Sequence, residues 1–187
     1  MAKLVVGIGG GVAAYKTAMA VSQLVQRGHD VHVVLTRGGR KFVGAATLAA
    51  LCGRPPVEDT YDPAFPLGPH IELARGAAML IIAPATARIL ASCAWALADD
   101  LLSTLYLARD CPTLMAPAMN ATMWQQPAVQ RNVLQLQRDG VDFIGPESGW
   151  LSCRDQGPGR MVEPQRLVEA IERKLGLGGE GSVPADG

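Results

Sequence analysis

Asn120, His70 and Cys153 are the residues whose types and settings could do chemistry. Asn120 closes the segment 113–120, an apolar strand pattern that breaks at Pro117 and hands the amide to a helical pattern opening Ala-Thr-Met-Trp. A side chain at a strand's carboxyl end and a helix's first turn stands where open α/β sheets place ligands, although the same amide can serve only as an N-cap. His70 follows a loop rich in proline and aspartate and heads His-Ile-Glu-Leu-Ala-Arg. Histidine as a side-chain type suits either proton transfer or a structural hydrogen bond. Cys153 lies in the segment 149–161, too rich in glycine for a regular element and too long for a tight turn. Such loops act as lids or stay disordered. His29 and His32, flanking or inside a strand, read as structural.

Each candidate needs an element to carry it. Residues 4–8 form a β-branched strand pattern followed by Gly9, Gly10 and Gly11, after which Ala14, Ala18, Val21 and Val25 recur at helical spacing until Gly28. A second strand at 31–35 ends in Thr36. Gly7-Ile-Gly9 opens like a dinucleotide fingerprint, but Val12 replaces the third glycine and Thr36 stands where a ribose-binding acid belongs. NAD is therefore disfavoured. The turn suits a mononucleotide, with free N–H groups and the helix dipole holding a phosphate near Thr36, or else its glycines only permit tight packing. A second small turn, Pro84-Ala-Thr86-Ala87-Arg88, follows a buried strand at 79–83 and starts an alanine-rich helix to about Ala98. Two such turns could grip one phosphate and its sugar chain between them. Asp99-Asp100 reads as a helix boundary and N-cap rather than a catalytic dyad. A helix at 42–51, a helix striped by Val129, Val133 and Leu136, a short strand at 143–144 and a last helix carrying Leu167, Val168, Ile171 and Leu175 complete the pattern.

Composition narrows the function classes. The 187 residues suit one domain that buries roughly 70% of its unfolded surface. Seventeen Lys plus Arg balance seventeen Asp plus Glu, and without a basic run neither nucleic acid nor an anionic membrane is expected as principal partner. Cys52, Cys93, Cys111 and Cys153 are too widely spaced for a zinc knuckle, and no metal site is expected. No signal peptide is read at the N-terminus and the apolar run at 79–83 is too short to cross a bilayer, so the expected compartment is the reducing cytoplasm.

Together the segments resemble the homo-oligomeric flavin-containing cysteine decarboxylases. The resemblance covers nearly the whole chain and is carried by the turn Gly7-Ile-Gly-Gly-Gly-Val-Ala-Ala-Tyr-Lys16, by His70-Ile-Glu-Leu-Ala, by Ala83-Pro-Ala-Thr-Ala, by Ala98-Asp-Asp-Leu-Leu-Ser, by Ala116-Pro-Ala-Met-Asn120 with Met-Trp following, and by the Cys153 loop ending Gly-Arg-Met-Val-Glu-Pro. It implies a three-layer doubly wound parallel sheet of Rossmann-like type over residues 1–175, with 176–187 as a disordered tail. It also implies FMN bound near a subunit interface in a homotrimer or a homododecamer. Gly9, Gly10, Gly11, Thr36, Thr86, Ala87, Arg88 and Ala118 would face the cofactor, His70 would lie beside its ring, and Arg75 and Asn120 near the substrate.

The chemistry implied is decarboxylation of 4'-phosphopantothenoyl-L-cysteine, a phosphorylated small molecule, to 4'-phosphopantetheine in coenzyme A biosynthesis. Oxidation of the thiol to a thioaldehyde creates the electron sink that lets carbon dioxide leave. His70 suits the proton transfers of that oxidation, Asn120 would orient the carboxylate without opposing its loss, and the Cys153 thiol would protonate the enethiol on its return to product. The other three cysteines need only be small buried apolar residues. Arg88 stands where the family has Asn, and Arg154 where it has Gly; Arg88 could donate to the flavin phosphate or crowd the ring. The synthetase domain fused in many bacterial relatives is expected as a separate phosphopantothenoylcysteine synthetase. A peptidyl-cysteine decarboxylase and a flavin-binding regulatory subunit are the alternatives.

Overall fold

Side-chain alternation in the first strand sets the layers of the molecule, which is described from a computed structural model over residues 1–177. In β1 (Lys3–Ile8) Leu4, Val6 and Ile8 point into one hydrophobic cluster while Val5 points into another, and all four are buried. Strands covered on both faces read as continuous apolar runs, which is why 4–8 and 79–83 lack a polar face. The first cluster is closed by α1 (Ala14–Gln26), α2 (Ala45–Cys52) and α8 (Pro164–Lys174). The second is closed by α3 (Pro69–Ala74), α4 (Ala87–Ala94), α5 (Leu101–Ala108) and α7 (Pro127–Arg138).

Between them lies a parallel sheet in the order β2-β1-β3-β4-β5, with β2 (Asp30–Leu35), β3 (Met79–Ala85), β4 (Thr113–Pro117) and β5 (Asp142–Phe143). The strand order reverses between β1 and β3, and open α/β sheets bind ligands outside the strand carboxyl ends at such a point. The turns after β1 and β3 are the two small-residue turns singled out above. The expected three-layer doubly wound sheet is therefore the observed one.

Three elements differ from expectation. The helix placed at 42–51 begins at Ala45, after a one-turn 3-10 helix at Gly39–Lys41. The helix expected to run to Ala98 stops at Ala94: Ala96 takes φ 54°, and Leu97 N–H donates to the Ser92 carbonyl at 2.8 Å. This is a Schellman closure with alanine where glycine is usual, so the sequence carried no stop signal. The Cys153 segment is not irregular. It forms an antiparallel hairpin of β6 (Glu147–Trp150) and β7 (Gln156–Arg160), with Cys153 in the connection. The expected tail begins at 176, and from residue 178 it lies outside the described residues.

Candidate functional site

The glycines after β1 divide into two kinds. A Cβ on Gly9 would sit 2.2 Å from the Pro84 carbonyl oxygen and one on Gly10 would sit 2.8 Å from the Gly38 backbone, so both permit close backbone approach. Gly11 is different: its Cβ would find only Pro84 and Thr86 atoms at 3.7 and 3.9 Å. Gly9 is buried, whereas Gly10 lines two adjoining cavities, of about 920 and 540 Å³. Both volumes fall in the range of small-molecule clefts, about 300–1,000 Å³.

The larger cavity runs along Thr36, the 37–42 turn and Arg88. Thr36 donates its hydroxyl proton to the Ile8 carbonyl at 2.8 Å, and its oxygen accepts from Gly39 N–H at 3.0 Å. The hydroxyl's only proton is thus spent on the turn, leaving spare acceptor capacity alone. Arg88 neither crowds the smaller cavity nor stands free: it pairs with Asp99 at 2.7 Å and Asp100 at 3.2 Å. Asp100 is also the N-cap of α5, in a reciprocal capping box with Ser103. Asp99-Asp100 is a boundary, as expected, and also the anchor for Arg88.

The smaller cavity brings together Gly11, Thr86, Ala87, Ala118, Asn120 and Cys153. Thr86 caps α4 by accepting from Ile89 N–H at 3.4 Å, while helix geometry leaves Ala87 and Arg88 N–H without an intrahelical acceptor. Asn120 takes both of the roles left open. Its Oδ1 accepts from Thr122 N–H at 2.8 Å and Met123 N–H at 3.4 Å, capping α6 (Ala121–Gln125), and this aims Nδ2 at Cys153 Sγ, 3.4 Å away. The hairpin that carries Cys153 is docked beside it: Met119 N–H donates to the Gly159 carbonyl at 3.0 Å. Gly159 has φ 123°, and a Cβ there would sit 2.2 Å from Met119 O, so this approach requires glycine. Arg154, with φ 65°, takes a left-handed turn position beside Cys153.

His70 and Arg75 line neither cavity. They sit on or just beyond α3, where His70 Nδ1 is buried with no hydrogen-bond partner among the described residues and Arg75 is exposed. Two residues to which the sequence reading gave no role do line the smaller cavity: Lys16, buried in the first turn of α1, and Arg160, at the end of β7. A lysine following a glycine turn by one helical turn was the available signal for the first. Arg160 had none, because its position depends on the hairpin. Cys52, Cys93 and Cys111 line neither cavity; burial pushes the Cys93 thiol up to about 12 and raises the Cys52 and Cys111 thiols too.

Glycine-limited approaches, uncapped N–H groups at a helix start and a strand-order reversal fit a mononucleotide held by its phosphate, and they define an α/β protein of nucleotide-binding type. The flavoprotein family matches residues 1–176, and the chain belongs to that family. Among curated relatives, the coenzyme A biosynthesis bifunctional protein CoaBC of Vibrio vulnificus is 43% identical over 172 residues, covering 91% of this chain and 43% of that protein. The CoaBC protein of Mycobacterium tuberculosis is 42% identical over 173 residues, 92% of this chain and 41% of that one. The chain thus spans less than half the length of these relatives. Among solved structures, the FMN-dependent cysteine decarboxylase SpaF superposes with a TM-score of 0.81 at 33% identity, over 94% of this chain and 98% of that one. A PPC decarboxylase mutant complexed with pantothenoylaminoethenethiol gives 0.83 at 28% identity with the same coverage.

Proposed function

We propose that the chain is an FMN-dependent carboxy-lyase that converts 4'-phosphopantothenoyl-L-cysteine to 4'-phosphopantetheine in coenzyme A biosynthesis. The observation that carries this reading is the Asn120 amide facing the Cys153 thiol across 3.4 Å, at the wall of the cavity beside the small-residue turns after β1 and β3. The names of the coenzyme A relatives and of the PPC decarboxylase neighbour support the substrate.

FMN, when bound, supplies the two-electron oxidation and the returning reduction. The uncapped N–H groups of Ala87 and Arg88, with Gly10 and Gly11, would hold it. Asn120 is preset: with Oδ1 committed to two backbone donors, only its NH₂ faces the cavity, where it orients the substrate carboxylate without a charge that would oppose loss of carbon dioxide. Cys153 is an exposed thiol on a docked hairpin and gives its proton to the enethiol carbon in the reductive half.

His70 supplies the proton transfer of the oxidative half from a neighbouring copy of this chain. Three features support a homo-oligomer, a trimer or a dodecamer: His70 and Arg75 lie off the cavity, Val12, Tyr15 and Met19 form an exposed apolar stripe beside it, and Leu67 and Ile71 are exposed around α3. The test is to purify the protein, record its visible spectrum, and follow carbon dioxide release from phosphopantothenoylcysteine and from a peptide ending in cysteine. A yellow protein that releases carbon dioxide only from the former is expected. A yellow protein inert on both, or active only on the peptide, overturns the reading.

A further inference from the structure

Among the described residues, the only charged side chains lining the smaller cavity are Lys16 and Arg160, and no carboxylate lines it. Both cations converge on one oxygen behind the wall. Lys16 Nζ donates to Glu163 Oε1 at 2.9 Å and to the Met161 carbonyl at 2.9 Å, and Arg160 donates to the same Glu163 Oε1. Glu163 is held ionised, its carboxyl below the usual range chiefly through the Lys16 hydrogen bond. One carboxylate against two cations leaves the wall with one uncompensated positive charge. Lys16 is a compact point charge with two of its three donors engaged; Arg160 offers a planar fork with most of its five donors still unspent.

Such a wall selects an anion, and the substrate of the proposed reaction has two: the carboxylate that is lost and the phosphate at the far end. A cation at the carboxylate would stabilise the ground state more than the transition state, since the charge leaves that group as carbon dioxide forms. Asn120 already meets the carboxylate with a neutral donor. A phosphate monoester carries about −1.5 to −2 charge at neutral pH, accepts a guanidinium fork and keeps its charge throughout.

We infer that Arg160, positioned by Glu163 and seconded by Lys16, receives the phosphate end of the substrate and determines preference for the phosphorylated form. This rests on the decarboxylase reading above. The test is calorimetric titration of the flavin-loaded protein with 4'-phosphopantetheine and with pantetheine, neither of which has the carboxylate. Wild type is expected to bind the phosphorylated ligand at least about tenfold tighter, and Arg160→Gln to shrink that ratio to about threefold or less while pantetheine affinity stays unchanged. Arg160→Lys, which keeps the charge and loses the fork, should fall between them. A ratio unchanged in Arg160→Gln, or equal weakening of both ligands, overturns the proposal. So does selective weakening of pantothenoylcysteine relative to pantetheine, which would place the cation at the carboxylate instead. Failure of the decarboxylase reading would show separately, as absent carbon dioxide release by wild type.

Discussion

Gly9 and Gly11 stand two residues apart and serve different ends, and substitution separates them. Alanine at Gly9 forces a backbone carbonyl aside and should cost about 1–3 kcal/mol, lowering Tm by roughly 3–10 °C without selectively weakening flavin binding. Alanine at Gly11 meets nothing nearer than 3.7 Å and should leave Tm nearly unchanged while weakening FMN binding, read by quenching of flavin fluorescence. At this scale the sequence was informative where function and local geometry coincide: Asn120 is marked by the strand break at Pro117 and the helix that follows. It was silent on Arg160 because nothing local distinguishes an arginine in a glycine-rich segment. Its partner Glu163 is near in sequence, but Lys16 is 147 residues from that carboxylate, a convergence only the folded chain makes.

Among the elements, β1, β2 and β3 were legible as short apolar, β-branched runs and α1 and α8 from their period, since both faces of the sheet are covered and the helices bury a single stripe. The hairpin was not, because Gly-Pro-Gly in β7 has neither β-branched residues nor alternation. It is held by pairing with β6, by close approaches at Gly157 and Gly159, and by the bonds of Arg160 to Glu163 and of Asn120 to Cys153. The far end of β2 carries a separate cluster: His32 Nε2 lies 3.1 Å from Asp30 Oδ2, and Arg54 bonds Asp30 Oδ1 at 2.6 Å. Burial lowers the His32 pKa, with Arg54 adding to the effect against the opposing pull of Asp30. The unfolded chain then binds a proton near pH 6.5 that the folded chain refuses until lower pH. Stability contributed by this site is full above that value and declines as pH falls from 6.5 through the folded pKa, with a slope no steeper than about 1.4 kcal/mol per pH unit. Chemical denaturation between pH 7 and 5 should show this slope in wild type and a flatter one in His32→Gln.

For the whole molecule, the carboxyl ends of β1, β3 and β4 gather the two small-residue turns, Asn120 and Cys153 on one chain, while α3 keeps His70 and Arg75 elsewhere. If copies share sites, a His70→Asn chain and a Cys153→Ser chain, each deficient alone, should regain roughly a quarter of wild-type product when co-assembled in equal amounts, as counted from independent pairing of chains in a closed ring. Activity of the mixture equal to the mean of the two separate variants would place both residues in one chain's site. The central claim, that Cys153 gives the last proton beside Asn120, is tested most directly by mass analysis of the product from Cys153→Ser incubated with phosphopantothenoylcysteine. The account predicts release of carbon dioxide together with an enethiol two hydrogens poorer than 4'-phosphopantetheine. Saturated 4'-phosphopantetheine formed at the wild-type rate would contradict it.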